Sequence, residues 1–159
     1  MIVRQATLSD APGLTALLNE IIAIGGTTAH EAAFTVEDFT THYLTGPDVI
    51  CCHVALTDHP LGFQGLSLWS GLPKGWADIG TFVSPSARGS GAAPALFKAT
   101  RDYARAHGFT TLNATIRADN ALGLAYYNRM GFQDYATDPG YQLKTSRVVG
   151  RISKRFDLT

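Results

Sequence analysis

The chain has 159 residues, 45% hydrophobic and 16% charged, and its 13 Lys and Arg balance 13 Asp and Glu to a formal net charge of zero. That is length and apolar content enough for one compact domain over residues 1–159, and scattered basic residues without an excess argue against a nucleic-acid partner. No apolar run reaches membrane-spanning length and no signal peptide opens the chain, so no membrane partner and a cytoplasmic location are expected.

Ser9 or Asp10 can cap a first helix that places Leu14, Leu17, Leu18, Ile21 and Ile22 on one face, and Gly25-Gly26 ends it. Thr35-x-x-Asp38 opens a second, short helix holding Val36, Phe39 and Tyr43. Residues 49–56 and 62–69 read as strands. Gly71 to Gly75 is turn material, so 66–70 and 76–83 are expected to form a hairpin. Cys51 and Cys52 are adjacent in an apolar strand and point to opposite faces, which suits two reduced packing residues better than a disulfide or a metal pair. No Cys-x-x-Cys or His-x-x-x-His spacing occurs, and no metal is implied.

The run Val83-Ser84-Pro85-Ser86-Ala87-Arg88-Gly89-Ser90-Gly91-Ala92-Ala93 carries the strongest chemical signal. A strand-like segment leads into it, and a helix with Leu96, Phe97, Thr100, Tyr103 and Ala104 at helical spacing leads out. Gly89 and Gly91 let backbone N–H groups approach an anion, and the helix N-terminus adds unpaired donors and the positive end of its dipole. Arg88 supplies a full charge. These are the parts of a pyrophosphate cradle, although a plain Gly-rich turn has the same composition. The run is neither a P-loop nor a good dinucleotide fingerprint, since it lacks Gly-Lys-Ser/Thr and a third glycine. After a further strand-like stretch, 111–116, comes Asn120-Ala121-Leu122-Gly123-Leu124-Ala125-Tyr126-Tyr127-Asn128-Arg129-Met130-Gly131-Phe132. Strand candidates at 134–136, 142–144 and 149–156 close the chain.

Together these two motifs resemble motifs A and B of the GNAT superfamily of acyl-CoA N-acetyltransferases. Arg88, Gly91 and Ala93 match the first, and Asn120, Gly123, Tyr127 and Gly131-Phe132 the second. Residues 2–7 resemble the family's first strand. The resemblance implies an α/β (α+β) fold in the order β-α-α-β-β-β-α-β-α-β-β. Its central sheet would be mixed and mostly antiparallel, of about seven strands with about four helices.

It also implies acetyl-CoA as cosubstrate, with the 88–93 loop (Arg88, Gly89, Ser90, Gly91, Ala92, Ala93) on the pyrophosphate. Backbone groups of Phe82 and Val83, where the family has a β-bulge, would meet the pantetheine arm and the oxyanion. Asn120 would hold the arm or fix the adjoining turn, and as a helix N-cap it looks identical in sequence. Tyr127 falls at the position of the acid that protonates the departing thiolate, with core packing as its other reading.

Acetyl transfer needs a neutral amine, whereas an alkylammonium keeps its proton to about pH 10, so a base is required. Asp78 is one candidate. Thr81, expected on the opposite strand face, would hold water or acceptor, and Glu31, in the loop that commonly walls the acceptor site, would bind an ammonium or act through water. A solvated loop carboxylate is the other reading of Glu31. The opening strand, residues 19–22 and Thr27-Thr28 are similar to the phosphinothricin and methionine sulfoximine branch, although Ala29-His30-Glu31-Ala32-Ala33-Phe34 departs from it. The expected acceptor is a small primary amine such as an amino acid or analogue, and a homodimer is compatible with such a branch. Acetylation of a protein lysine or N-terminus, and a non-catalytic acyl-CoA sensor, are the alternatives.

Overall fold

The computed structural model describes residues 1–159. Seven strands form one sheet in the order β1-β2-β3-β4-β5-β7-β6: β1 (Ile2–Gln5), β2 (Val49–Leu56), β3 (Pro60–Ser67), β4 (Trp76–Val83), β5 (Thr111–Arg117), β6 (Gln133–Asp138) and β7 (Arg151–Asp157). All neighbours are antiparallel except β4 and β5. The helices are α1 (Ala11–Ile24), α2 (Val36–Phe39), α3 (Ala92–Ala106) and α4 (Ala121–Met130). The element order is the one the resemblance implied.

Local chemistry sets most of the boundaries. Asp10 carries a bidentate bond from Arg4 at 2.7 and 2.9 Å and accepts the Thr7 N–H. Arg4, with the Thr7 donors, pulls its carboxyl down to about 2. α1 ends where Gly25, at φ 78°, returns its N–H to Ile21. Thr35 and Asp38 cap α2 reciprocally, and the chain continues through a π-helical turn, Thr40–Thr45. The strand expected at 142–144 does not form. It is reduced to one bridge, Gln142 to Val148, in a loop that turns through Ser146 at φ 73°.

Strand alternation sorts the interior into two layers. Cys51, Leu66, Ala77, Ile79, Leu112, Ala114 and Ile116 pack on the face covered by α3 and α4, with Phe97, Tyr126 and Tyr127. Cys52, Val54 and Phe63 pack on the other face with α1, Phe39 and Tyr43. Both cysteines are free and buried, and burial raises each thiol to about 12.

The feature that positions the site is a break in the middle of the sheet. β4 and β5 pair only at Trp76–Thr111, Ala77–Leu112 and Asp78–Asn113, then diverge. The β3–β4 ladder stays regular from Ser67–Asp78 to Gly62–Val83, so the bulge expected near Phe82 is absent and strand divergence opens the gap instead.

Candidate active site

The gap leads into a cavity of about 800 Å³ that is lined from both faces of the sheet. At one end stands the turn from β4 into α3. Gly89 and Gly91 hold φ of 78° and 86°, where a Cβ would meet no neighbour but the backbone would be strained. The Ser90 N–H is bonded to Ala87 O, and the Ala92 N–H to Ser90 Oγ. The N–H groups of Gly89 and Gly91 have no acceptor within the protein. With Arg88 on the cavity wall, this turn suits a diphosphate. Ser90 does not line the cavity; its hydroxyl instead braces the first turn of α3.

Along the gap, backbone alternation decides which groups are free. The Ser84 N–H bonds Leu61 O, so in the regular ladder the N–H and C=O of Phe82 and Gly80 also face β3. Those of Thr81 and Val83 face the gap. A donor aimed at the cavity therefore comes from Val83 and not from Phe82. The Phe82 ring stacks on Phe63, with centroids 4.8 Å apart.

Tyr127 is buried on α4, with its hydroxyl 2.8 Å from Thr81 Oγ1. Burial pushes its pKa well above the ordinary phenol value, so its hydroxyl stays protonated. Thr81 Oγ1 also accepts from Gln64 Nε2 at 2.8 Å. Asn120 caps α4 by accepting the Gly123 N–H at 3.0 Å and ties the 25–35 loop down by donating to Thr27 O at 3.2 Å. It lines the cavity while doing both.

Asp78 lies on the opposite face from Thr81, as alternation required. It faces the cavity beside Asn113, whose Nδ2 donates to it at 2.8 Å. Burial raises its carboxyl to about 6, against the Asn113 bond and the charge of Arg151, which both lower it. Arg151, in register opposite Arg117, sits over the Tyr141 ring at 4.3 Å. Its guanidinium makes no hydrogen bond within the protein; its nearest carboxylate is Asp138 at 3.7 Å. Arg117, by contrast, is committed to Asp119 at 2.8 and 2.9 Å and to Thr28 O at 3.0 Å. His30, His42 and Tyr43 form an aromatic part of the remaining wall. His30 Nε2 lies 2.9 Å from the Tyr43 hydroxyl, and burial, helped by His42 and Lys144, lowers its pKa to about 4, leaving it neutral.

Glu31 is not in this cavity, which corrects its expected place. Its carboxylate accepts the N–H groups of Lys144 at 2.7 Å and Thr145 at 3.3 Å, fastening its loop to the β6–β7 connection. Partial desolvation pulls its pKa up, and these amide donors outweigh it to leave the carboxyl below its usual range. Sequence reading missed Arg151, His42 and Gln64, and took His30 only as a neighbour of Glu31 in the acceptor loop. Arg151, His30 and His42 reach the cavity from distant segments, Gln64 is buried behind Thr81 without lining it, and none sits in a motif.

The family model described as the acetyltransferase (GNAT) family matches residues 16–132. No curated protein matches the chain by sequence. Among solved structures, a ribosomal-protein-alanine N-acetyltransferase from Brucella melitensis is 21% identical, with TM-score 0.86 over 99% of both chains. A putative acetyltransferase from Salmonella typhimurium, solved with its cofactor acetyl-CoA, is 19% identical, with TM-score 0.85 over 99% of this chain and 94% of that one. A phosphinothricin acetyltransferase from Sinorhizobium meliloti in complex with acetyl-CoA is 21% identical, with TM-score 0.85 over 98% of this chain and 87% of that one.

Proposed function

The chain belongs to the GNAT acetyltransferase family, and from that premise we propose that it moves an acetyl group from acetyl-CoA to a small primary amine that also carries a carboxylate, such as an amino acid or an analogue. One observation carries the choice of acceptor. Across the gap from Tyr127, the cavity presents a raised carboxyl, Asp78, and an arginine without a hydrogen-bonded partner, Arg151. An amine and a carboxylate on one small molecule answer both.

In this reading the 88–93 turn holds the diphosphate, and the backbone of Thr81 and the C=O of Val83 pair with the pantetheine amides as an added strand would. Arg151 holds the acceptor carboxylate and orients the ammonium toward Asp78. Asp78 takes the ammonium proton first, the neutral nitrogen then bonds to the thioester carbon, and the second nitrogen proton leaves to solvent as the tetrahedral intermediate collapses. The Val83 N–H stabilises the oxyanion that forms. Tyr127 gives its hydroxyl proton to the sulfur as the carbon–sulfur bond breaks. The neutral aromatic wall of His30, His42 and Tyr43 excludes water and accommodates the acceptor side chain.

Acetyl-CoA-dependent release of CoA over a panel of amino acids, simple amines, polyamines and peptides tests the reading. Turnover is expected on amino acids and not on the matching decarboxylated amines. Turnover on peptides alone would replace the acceptor class with a protein terminus or lysine.

A further inference from the structure

Gln64 is completely buried in β3, and its Oε1 is the one buried side-chain polar atom in the protein without a partner. An aliphatic side chain of similar volume would avoid that cost, so stability alone does not explain the amide. Its nitrogen, however, sits at the centre of a chain of hydrogen bonds whose polarity can be worked out.

The Tyr126 hydroxyl lies 2.9 Å from the carbonyl of Ala93, in the first turn of α3. A carbonyl only accepts, so the single Tyr126 hydrogen is committed there. Gln64 Nε2, 3.2 Å from the Tyr126 oxygen, is then the donor to it. Its second hydrogen goes to Thr81 Oγ1 at 2.8 Å. Turning the amide over would present its oxygen to two hydroxyls and strand both N–H groups, a worse outcome than one stranded carbonyl. Thr81 therefore accepts from Gln64, which strengthens its own O–H as a donor toward the Tyr127 oxygen at 2.8 Å. The Tyr127 hydrogen is left over, at the cavity wall.

We propose that Gln64, acting through Thr81, is a positioning residue that fixes the direction of this chain so that the Tyr127 hydroxyl donates into the cavity. The inference rests on the reading of Tyr127 as the acid. When the Tyr127 O–H breaks and the S–H bond forms, the phenolate left behind keeps the Thr81 hydroxyl as a donor, itself backed by the Gln64 amide. The lost hydrogen is made good by the proton Asp78 takes from the acceptor, returned through solvent. The far end of the chain is Ala93, so the diphosphate turn and the acid share one hydrogen-bond line.

The test needs no acceptor. CoA bound to the enzyme is titrated by the ultraviolet absorbance of its thiolate. A hydroxyl donated to sulfur lowers the thiol pKa below that of free CoA titrated under the same conditions. Tyr127→Phe should raise the bound value by roughly one unit. Gln64→Met should raise it comparably with CoA affinity kept, Thr81→Val should raise it as well, Thr81→Ser should hold it near the wild type, and Gln64→Met should melt no lower than wild type. Gln64→Met combined with Tyr127→Phe should titrate like Tyr127→Phe alone. A wild-type titration in Gln64→Met, beside a shifted one in Tyr127→Phe, would overturn the role of Gln64 and leave the acid intact. No shift in Tyr127→Phe would overturn both.

Discussion

The proposed reaction asks Asp78 to be ionised near neutrality and still basic enough to accept a proton, and burial meets that by raising its carboxyl from 3.8 to about 6 against the opposing Asn113 bond. Because the folded value lies above the unfolded one, the folded state binds the proton more tightly. The group favours the fold in acid and withdraws that support as pH rises from 3.8 to about 6. Two outcomes follow. The kcat/KM of the wild type should fall about tenfold per pH unit below about 6, with the base protonated. Asp78→Asn should lose roughly 100-fold or more in kcat at pH 7.5 while melting at the same temperature or higher, since the cost of a buried charge is gone. A variant that is both active and less stable would assign Asp78 to structure. Arg151→Ala should raise the acceptor KM by about 10- to 100-fold and leave the acetyl-CoA KM unchanged, with Arg151→Lys between them. Period-2 alternation alone put Asp78 and Thr81 on opposite faces. It could not give Arg151 its place, because that depends on β7 lying beside β5, nor Glu31 its partners, which lie more than a hundred positions along the chain in the 144–145 loop.

The strand–turn–helix unit from β4 to α3 was legible as an element because its requirements are local: small residues, two glycines and a helix start. Gly91→Ala places its Cβ in open space, so any loss comes from the φ of 86° and should be about 1 kcal/mol of stability, read by denaturant midpoint. The same strain would re-aim the turn and raise the acetyl-CoA KM. Arg88→Ala should raise that KM about 5- to 20-fold with little change in kcat, since the charge acts far from the reacting carbon. The 142–144 segment was misread for the complementary reason. Its apolar and polar residues alternate as a strand's do, but a strand needs a partner in register, and the turn at Ser146 leaves only the Gln142–Val148 bridge. The β-bulge expected on β4 was a feature of the resemblance and not of these residues. The ladder from Ser67–Asp78 to Gly62–Val83 runs without a shift.

At the scale of the molecule, the three-pair contact between β4 and β5 means that one sheet is two half-sheets, β1 to β4 and β5 to β7, sharing a short seam. Beyond the seam, the backbone groups of Thr81 and Val83 face the gap with no strand to receive them. A bound pantetheine arm would be mortar between the halves as much as a substrate. Amide hydrogen exchange should show this by residue parity: acetyl-CoA should slow exchange at Thr81 and Val83, and change little at Gly80 and Phe82, already held by β3. The melting temperature should rise with acetyl-CoA concentration. An enzyme built this way keeps its shortest seam where its cosubstrate would lie, so the concentration of acetyl-CoA would set how firmly each copy is held together as well as how fast it works.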